Sequence, residues 1–127
     1  MPSLTLTGPD AMKHVLFTLY DCDVFLLDDE EFIRIILGEA TRKMGATHLN
    51  TVTHKFQPQG VTAVTLLAES HMSIHTWPEK QMAVCDVFTC GVSNPKKGAI
   101  HLGRKLKARD FTATVMDRSP ARIEFQV

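Results

Sequence analysis

The 127-residue sequence predicts an α/β protein of the α+β type, in which a mainly antiparallel sheet carries two helices on one face as a two-layer sandwich. Apolar and β-branched stretches of strand length recur along the chain with short gaps between them. Two other segments carry apolar residues at helical spacing. No repeat, low-complexity tract or linker divides the chain, and its length suits one domain spanning residues 1–127.

The first half of the chain predicts a strand followed by a helix. Residues 14–23, HVLFTLYDCD, are typical of a buried strand that runs into a turn, because apolar and aromatic residues precede the acids. Residues 29–44 form the predicted helix, with acids at its start, basic residues near its end and Gly45 as its stop. Its expected apolar face comprises Phe32, Ile33, Ile36, Leu37, Ala40 and Met44.

The second half predicts further strands and one more helix. Strand candidates are residues 47–56, 61–68, 71–77 and 82–90. The Pro-Gln-Gly turn at 58–60 separates the first two of these candidates. Asn94 and Pro95 supply a cap and a first-turn proline for the second helix, whose apolar face is expected to comprise Ala99, Leu102 and Leu106. Residues 111–127 are interpreted as one or two closing strands.

Two helices cover only one face of such a sheet, so the other face must meet water or another subunit. Apolar strands such as residues 61–68, VTAVTLLA, favour a partner. We therefore expect a homodimer in which two sheets meet as a four-layer αββα arrangement.

Composition narrows the class of function. Fourteen Lys plus Arg balance fourteen Asp plus Glu, so no excess positive field is available for nucleic acid or anionic lipid. The start MPSLTLTGPD lacks a basic segment followed by an apolar block, and no apolar run reaches the roughly 18 residues that span a bilayer, so a soluble, cytoplasmic protein is expected. The odd number of cysteines without CxxC spacing predicts three free thiols, Cys22, Cys85 and Cys90.

Residues 69–79, ESHMSIHTWPE, concentrate reactive side chains in a predicted strand. Alternation places Glu69, His71, Ser73 and His75 on one side, and Ser70, Met72, Ile74 and Thr76 on the other. The residues alone leave three interpretations open. A metal site on the two histidines lacks further ligands at a familiar spacing, a hydrolase triad lacks a GxSxG elbow, and a polar face on a half-buried strand needs no chemistry at all.

Together with DVFTCG at 86–91, this segment resembles the bacterial and archaeal S-adenosylmethionine decarboxylase proenzymes. The resemblance continues in YDCD at 20–23, GAT at 45–47 and HKFQPQGVT at 54–62, and it covers residues 12–115. It implies decarboxylation of S-adenosylmethionine for polyamine (spermidine) biosynthesis. The same chemistry on arginine or ornithine, and a non-processing binding module, remain alternatives.

The resemblance also implies self-cleavage between Glu69 and Ser70, into residues 1–69 and 70–127. The serine hydroxyl attacks the preceding carbonyl carbon, and the resulting ester is then eliminated. Ser70 would thus become a pyruvoyl group that forms a Schiff base with the substrate amine, and neither a metal nor pyridoxal phosphate is implied.

Roles for other residues follow from the same resemblance. His75 would transfer a proton in processing, Thr62 stands where relatives carry a processing serine, and Cys90 would donate a proton in decarboxylation. Phe56 and Glu79 match substrate-binding positions, and Trp77 is a further aromatic candidate for the adenine face. The chain departs from the family pattern at residues 80–82, Lys-Gln-Met, where relatives carry aromatic and small residues. Family active sites lie at a subunit interface, which agrees with the expected homodimer.

Overall fold

The computed structural model describes residues 11–119 and Gln126. In chain order the elements are β1 (Met12–Tyr20), α1 (Val24–Leu27), α2 (Glu30–Met44), β2 (His48–Lys55), β3 (Val61–Leu67), β4 (Ser70–Trp77), a 3₁₀ turn (Pro78–Lys80), β5 (Met82–Cys90), α3 (Pro95–Lys105) and β6 (Asp110–Asp117). The strands form one antiparallel sheet in the order β2-β3-β4-β5-β1-β6. The predicted fold class is confirmed.

The first long helix begins and ends within one residue of the predicted bounds, and the second begins where the sequence predicts. The carboxylate of Asp29 accepts a hydrogen bond from the Phe32 backbone N–H at 3.0 Å, and Gly45 ends α2 in the left-handed region at φ 72°. Asn94 caps α3 by accepting from the Lys96 backbone N–H at 3.1 Å. The predicted apolar faces are buried, with Phe32 packed at the margin of the core: Ile33, Ile36, Leu37, Ala40 and Met44 on α2, and Ala99, Leu102 and Leu106 at α3.

The hydrophobic core lies between these helices and one face of the sheet, which we call the inner face. Strand residues alternate between the two faces, and the inner set includes Val15, Phe17, Leu19, Val61, Ala63, Met72, Ile74, Ala83 and Val87. Each large aliphatic side chain buried there stabilises the fold by about 1.5–3 kcal/mol. The inner face is therefore sealed by the helices.

The opposite face of the sheet, the outer face, is covered by no element among the described residues. Its exposed apolar side chains are Leu16, Val52, Leu66, Trp77, Val84 and Met116. Coverage of only one face agrees with the sequence prediction, whereas the dimer inferred from it stays a prediction.

The structure differs from the prediction at the first strand and the residues that follow it. The first strand begins at Met12 and ends at Tyr20, and the residues after it form the short helix α1. The carboxylate of Asp23 caps α1 by accepting hydrogen bonds from the backbone N–H groups of Phe25 and Leu26 at 2.9 and 3.1 Å. With only four residues, α1 is too short to show a helical period in the sequence. Of the one or two closing strands predicted in residues 111–127, the described residues contain β6, and the predicted second strand lies outside the described residues. Among the residues described, no helix is both long and apolar enough to cross a bilayer.

Candidate active site

The predicted cleavage position lies in the hairpin between β3 and β4. Ser70 is the first residue of β4, and Ala68 and Glu69 form the turn before it. The Glu69 carboxylate accepts from the Thr47 backbone N–H at 2.9 Å and from the Thr47 hydroxyl at 3.3 Å. The Ala68 N–H donates to the Thr47 carbonyl oxygen at 3.0 Å. The turn is thus tied to the segment that joins α2 to β2.

The thiol of Cys90 donates a hydrogen bond to the main-chain carbonyl oxygen of Glu69, with an Sγ···O distance of 3.2 Å. The contact arises because β5 pairs antiparallel with β4, with Phe88 opposite His71, so that the end of β5 lies beside the start of β4. Sequence motifs predicted roles for both residues but not this contact. A hydrogen-bond donor therefore lies on the carbonyl that precedes Ser70.

A second pair lies at the other end of the same strands. Thr62 and His75 are directly opposite in the β3–β4 register, and the Thr62 hydroxyl is 3.1 Å from His75 Nδ1. Both side chains are half-buried on the outer face. This hydrogen bond brings together two of the residues for which the resemblance implied a part in processing.

The three predicted substrate-binding residues lie at this second end as well. Phe56 follows β2 and is 44% exposed, while Trp77 ends β4 at 37% exposed, its ring centroid 6.4 Å from that of His75. Glu79 is exposed on the 3₁₀ turn that comes next. The backbone N–H of Phe56 donates to the Gly60 carbonyl oxygen at 2.8 Å, which fixes the loop that carries the aromatic ring.

The predicted site residues thus divide into two groups within one chain. Glu69, Ser70 and Cys90 form the first group, and Thr62 and His75, with the three binding residues, form the second. Because an extended strand rises about 3.3 Å per residue, five positions along β4 separate Ser70 from His75 by roughly 16 Å. The sequence prediction treated them as one site, and a single chain does not bring them together.

A third group, on the outer face, was not predicted as a unit. Asp86 Oδ2 lies 2.7 Å from His14 Nε2 and 2.9 Å from His71 Nε2, and the Ser73 hydroxyl donates to Asp86 Oδ1. Alternation correctly placed His71 and His75 on one face, but His71 contacts His14 and Asp86 instead of His75. Burial alone would raise the pKa of Asp86, and the hydrogen bonds from Ser73, His14 and His71 outweigh it and lower that pKa.

This third group replaces His75 in the metal interpretation, because the candidate ligands that lie near His71 are His14 and Asp86. Three candidate ligand atoms, one each from His14, His71 and Asp86, lie within 4.8 Å of one another in the described chain. The signal in the sequence was a histidine and an aspartate at outward positions of otherwise apolar strands, and only the pairing of β1, β5 and β4 joins them.

All three cysteines are free thiols, as predicted. Cys22 and Cys85 are buried, and Cys90 is half-buried. Burial, helped by the charge of Asp21, raises the pKa of Cys22 to about 11, and burial raises the pKa of Cys85 well above its usual range. Cys90 is therefore the one cysteine combining partial exposure with a contact to the hairpin.

Comparisons with known proteins identify the family to which the chain is similar. The family model described as S-adenosylmethionine decarboxylase matches residues 13–119. The S-adenosylmethionine decarboxylase proenzyme of Synechococcus sp. (strain WH7803) is 56% identical over 97 residues, covering 76% of each chain. That of Clostridium tetani (strain Massachusetts / E88) is 44% identical over 107 residues, covering 84% of this chain and 85% of the relative.

A solved structure shares the fold over nearly the whole chain. The crystal structure of the adenosylmethionine decarboxylase from Aquifex aeolicus VF5 superposes with a TM-score of 0.80 at 33% identity, covering 94% of this chain and 100% of that one. Sequence and fold therefore agree, and the chain belongs to the S-adenosylmethionine decarboxylase family.

Proposed function

We propose that this protein is a self-processing, pyruvoyl-dependent decarboxylase that converts S-adenosylmethionine to decarboxylated S-adenosylmethionine and carbon dioxide. One observation carries the proposal: the Cys90 thiol donates to the Glu69 carbonyl immediately before Ser70, in a chain whose relatives bear the name proenzyme. Self-cleavage needs a hydroxyl, a polarised carbonyl and the peptide bond that joins Glu69 to Ser70, and all three are present here.

Cleavage begins with the Ser70 hydroxyl, which attacks the Glu69 carbonyl carbon and turns the peptide bond into an ester. The Cys90 S–H donates to the oxygen on which negative charge develops, so it stabilises that charge as an oxyanion hole would. The two bonds from Thr47 to the Glu69 carboxylate keep the turn in place meanwhile. Loss of the Ser70 α-proton then separates residues 1–69 from 70–127.

The surroundings of Ser70 fit the pyruvoyl group that would form from it. Ser70 is half-buried at a strand start, next to a thiol that can donate a proton. The pyruvoyl group supplies an electron-accepting carbonyl for decarboxylation. Cys90 is the proposed proton donor to the substrate α-carbon, a role that requires the protonated thiol.

The second half of the site comes from a second copy of the chain. Roughly 16 Å separates Ser70 from His75 within one chain, so Thr62 and His75 cannot reach their own hairpin. A two-fold axis across the strands would lay the end of one β4 over the start of the other, creating two equal sites. The uncovered apolar outer face supports this four-layer dimer.

Substrate recognition falls to the residues that accompany His75. The exposed rings of Phe56 and Trp77 offer flat apolar surfaces for an adenine, and the Glu79 carboxylate accepts hydrogen bonds from ribose hydroxyls. In the proposed dimer they face the Ser70 of the other copy, so the amino-acid end of the substrate meets the pyruvoyl group.

Intact-mass spectrometry of purified protein over time tests the processing step. We expect two fragments, residues 1–69 and 70–127, the second lighter than its serine form by the mass of ammonia. Ser70→Ala should stay uncut, whereas Ser119→Ala, an exposed serine after the end of β6, should be cut normally. A wild-type chain that stays full length after prolonged incubation contradicts the proposal.

The substrate is tested on the cut protein by carbon dioxide release from carboxyl-labelled S-adenosylmethionine, arginine and ornithine in parallel. Release from the first is expected. Release from arginine or ornithine alone would overturn the substrate assignment while leaving the pyruvoyl chemistry standing.

A further inference from the structure

A chain of hydrogen bonds on the outer face leads to Ser70 and has no part in the function proposed so far. Arg118 Nη1 lies 2.9 Å from His14 Nδ1, and His14 Nε2 lies 2.7 Å from Asp86 Oδ2. Asp86 Oδ2 lies 2.9 Å from His71 Nε2, and His71 Nδ1 lies 3.5 Å from Ser70 Oγ. The network therefore ends at the hydroxyl that must attack.

The donors and acceptors fix where the protons lie. A guanidinium only donates, so His14 Nδ1 accepts from Arg118 and His14 Nε2 carries the proton that it donates to Asp86. The Asp86 carboxylate is ionised and only accepts, so His71 Nε2 is also a donor. In the neutral His71 ring, Nδ1 is left with a free lone pair, and this is the atom that faces Ser70.

His71 is also the histidine that lies within reach of the Ser70 hydroxyl. Catalytic hydrogen bonds are often long before the reaction begins, so 3.5 Å from Nδ1 to Oγ is compatible with proton transfer after a small rotation of the serine hydroxyl. In its own chain His75 lies roughly 16 Å along β4, and its Nδ1 is engaged by Thr62. No other imidazole nitrogen in the described ranges contacts the Ser70 hydroxyl.

We propose, resting on the proposed function, that His71 is the catalytic base for the first step of self-cleavage and that Asp86 is its positioning residue. His71 Nδ1 takes the hydroxyl proton as the bond from Ser70 Oγ to the Glu69 carbonyl carbon forms. The C–N bond then breaks, and the same proton passes to the Ser70 nitrogen. An amide becomes an ester and a free amine, and no further reactant is needed. Removal of the α-proton is left to His75.

The same atoms define a candidate metal site, and the structure favours the hydrogen-bonded interpretation. Both N···O distances to Asp86 Oδ2, 2.7 and 2.9 Å, are those of hydrogen bonds. Arg118 already provides a positive charge beside His14, so the negative charge of Asp86 is compensated without a metal ion. Cleavage by the wild-type protein should therefore be unchanged after treatment with EDTA.

The test compares self-cleavage of His71→Ala, Asp86→Asn and the wild type by intact mass, with His48→Ala, an exposed histidine of β2, as a matched control. We expect His71→Ala to be slowed about a hundredfold and Asp86→Asn about tenfold, in line with the contribution of a general base and of its orienting partner. The control should match the wild type. Added imidazole should speed cleavage of His71→Ala at least severalfold, which a purely structural defect would not allow.

Treatment with hydroxylamine, which cleaves esters and spares peptide bonds, shows whether a variant is blocked before or after the ester forms. Uncut His71→Ala should resist hydroxylamine because no ester has formed, whereas His75→Ala should accumulate an ester and be cut between Glu69 and Ser70. If His71→Ala is unfolded by circular dichroism, His71→Gln takes its place, with the same slowing expected but without imidazole rescue.

Three results overturn the assignment while leaving the decarboxylase intact. They are wild-type speed in the His71 variant, an ester accumulating in that variant, or loss of wild-type cleavage in EDTA. A wild-type chain that never cuts would instead refute the proposed function, and this inference with it.

Discussion

The hydroxyl of Thr62 lies 3.1 Å from Nδ1 of His75, directly across the pairing of β3 with β4. The hydroxyl is the only polar group that the side chain of residue 62 brings to this contact. It orients the imidazole, and no hydrogen-bond partner of His75 Nε2 is found among the described residues. Compared with the serine that the resemblance implies at this position in relatives, threonine offers the same hydroxyl and adds one methyl group.

Removing this hydroxyl should slow processing. Thr62→Val keeps the shape of the side chain but loses the bond to His75, so we expect fragments to appear about tenfold more slowly. Thr62→Ser should stay close to the wild type. Thr112→Val, an outer-face threonine of β6, serves as control. Equal half-times for all four proteins on denaturing gels would exclude a role for the pair.

The Cys90 thiol is expected to act twice. Cys90→Ala should still be cut, but several-fold more slowly because the Glu69 carbonyl loses a donor, and the cut protein should lose most of its carbon dioxide release. Cys22→Ala, a buried thiol away from the hairpin, should retain both activities. Full turnover by the cut Cys90→Ala protein would eliminate its role as proton donor.

Alkylation should single out the same thiol. At pH 8 a thiol with a pKa of about 11 is ionised in only about one molecule in a thousand, so Cys22 should resist alkylation. Burial raises the pKa of Cys85 as well, so Cys85 should also resist it. Brief iodoacetamide treatment of folded Ser70→Ala should therefore modify Cys90 first, as read by peptide mass mapping. Faster labelling of Cys22 or Cys85 would contradict their burial in the folded protein.

A shared site predicts complementation between two inactive chains. Ser70→Ala lacks the attacking hydroxyl, and His75→Ala lacks the proton acceptor, so neither homodimer should complete cleavage. In a co-expressed mixed dimer, the Ser70 of the His75→Ala chain meets an intact His75 from the other copy. Mass spectrometry should then show fragments of the His75→Ala chain alone, and their absence from a verified mixed dimer would argue against the shared site.

Asp86 should make the fold sensitive to acid. Its folded pKa is lowered below the ordinary 3.8, so its stabilising contribution is present above that value and is lost as the pH falls through the folded pKa. In an uncut Ser70→Ala background, Asp86→Asn should melt roughly 5 °C lower at pH 7. The difference from the parent should shrink as the pH falls below 3.8, and a constant difference down to pH 2 would contradict this linkage.

Local patterns predicted the helices and strands well. Caps at Asp29 and Asn94 and the stop at Gly45 are sequence-local signals, and alternation along residues 70–77 identified the buried side of β4. Helix α1 escaped prediction because four residues carry no periodicity. The fold class followed from the order of the elements.

The site was harder to assemble from the sequence. Motifs named Ser70, His75 and Cys90, but strand register decides which of them meet, and register depends on pairing across the sheet. His14 and Asp86 stand 57 and 15 positions from His71, and they join it because β1, β5 and β4 are successive neighbours. Nothing local to any one of these residues carries that information.

The strand order has a consequence for a chain cut after Glu69. The amino-terminal piece keeps β1, β2 and β3, the carboxy-terminal piece keeps β4, β5 and β6, and in the sheet β1 is inserted between β5 and β6. The two polypeptides are thus interleaved, and pulling them apart would require breaking the β3–β4, β5–β1 and β1–β6 pairings together with the α2–α3 packing. Such a cut would free two chain ends without releasing either piece, so the new terminus would react on a scaffold that stays assembled.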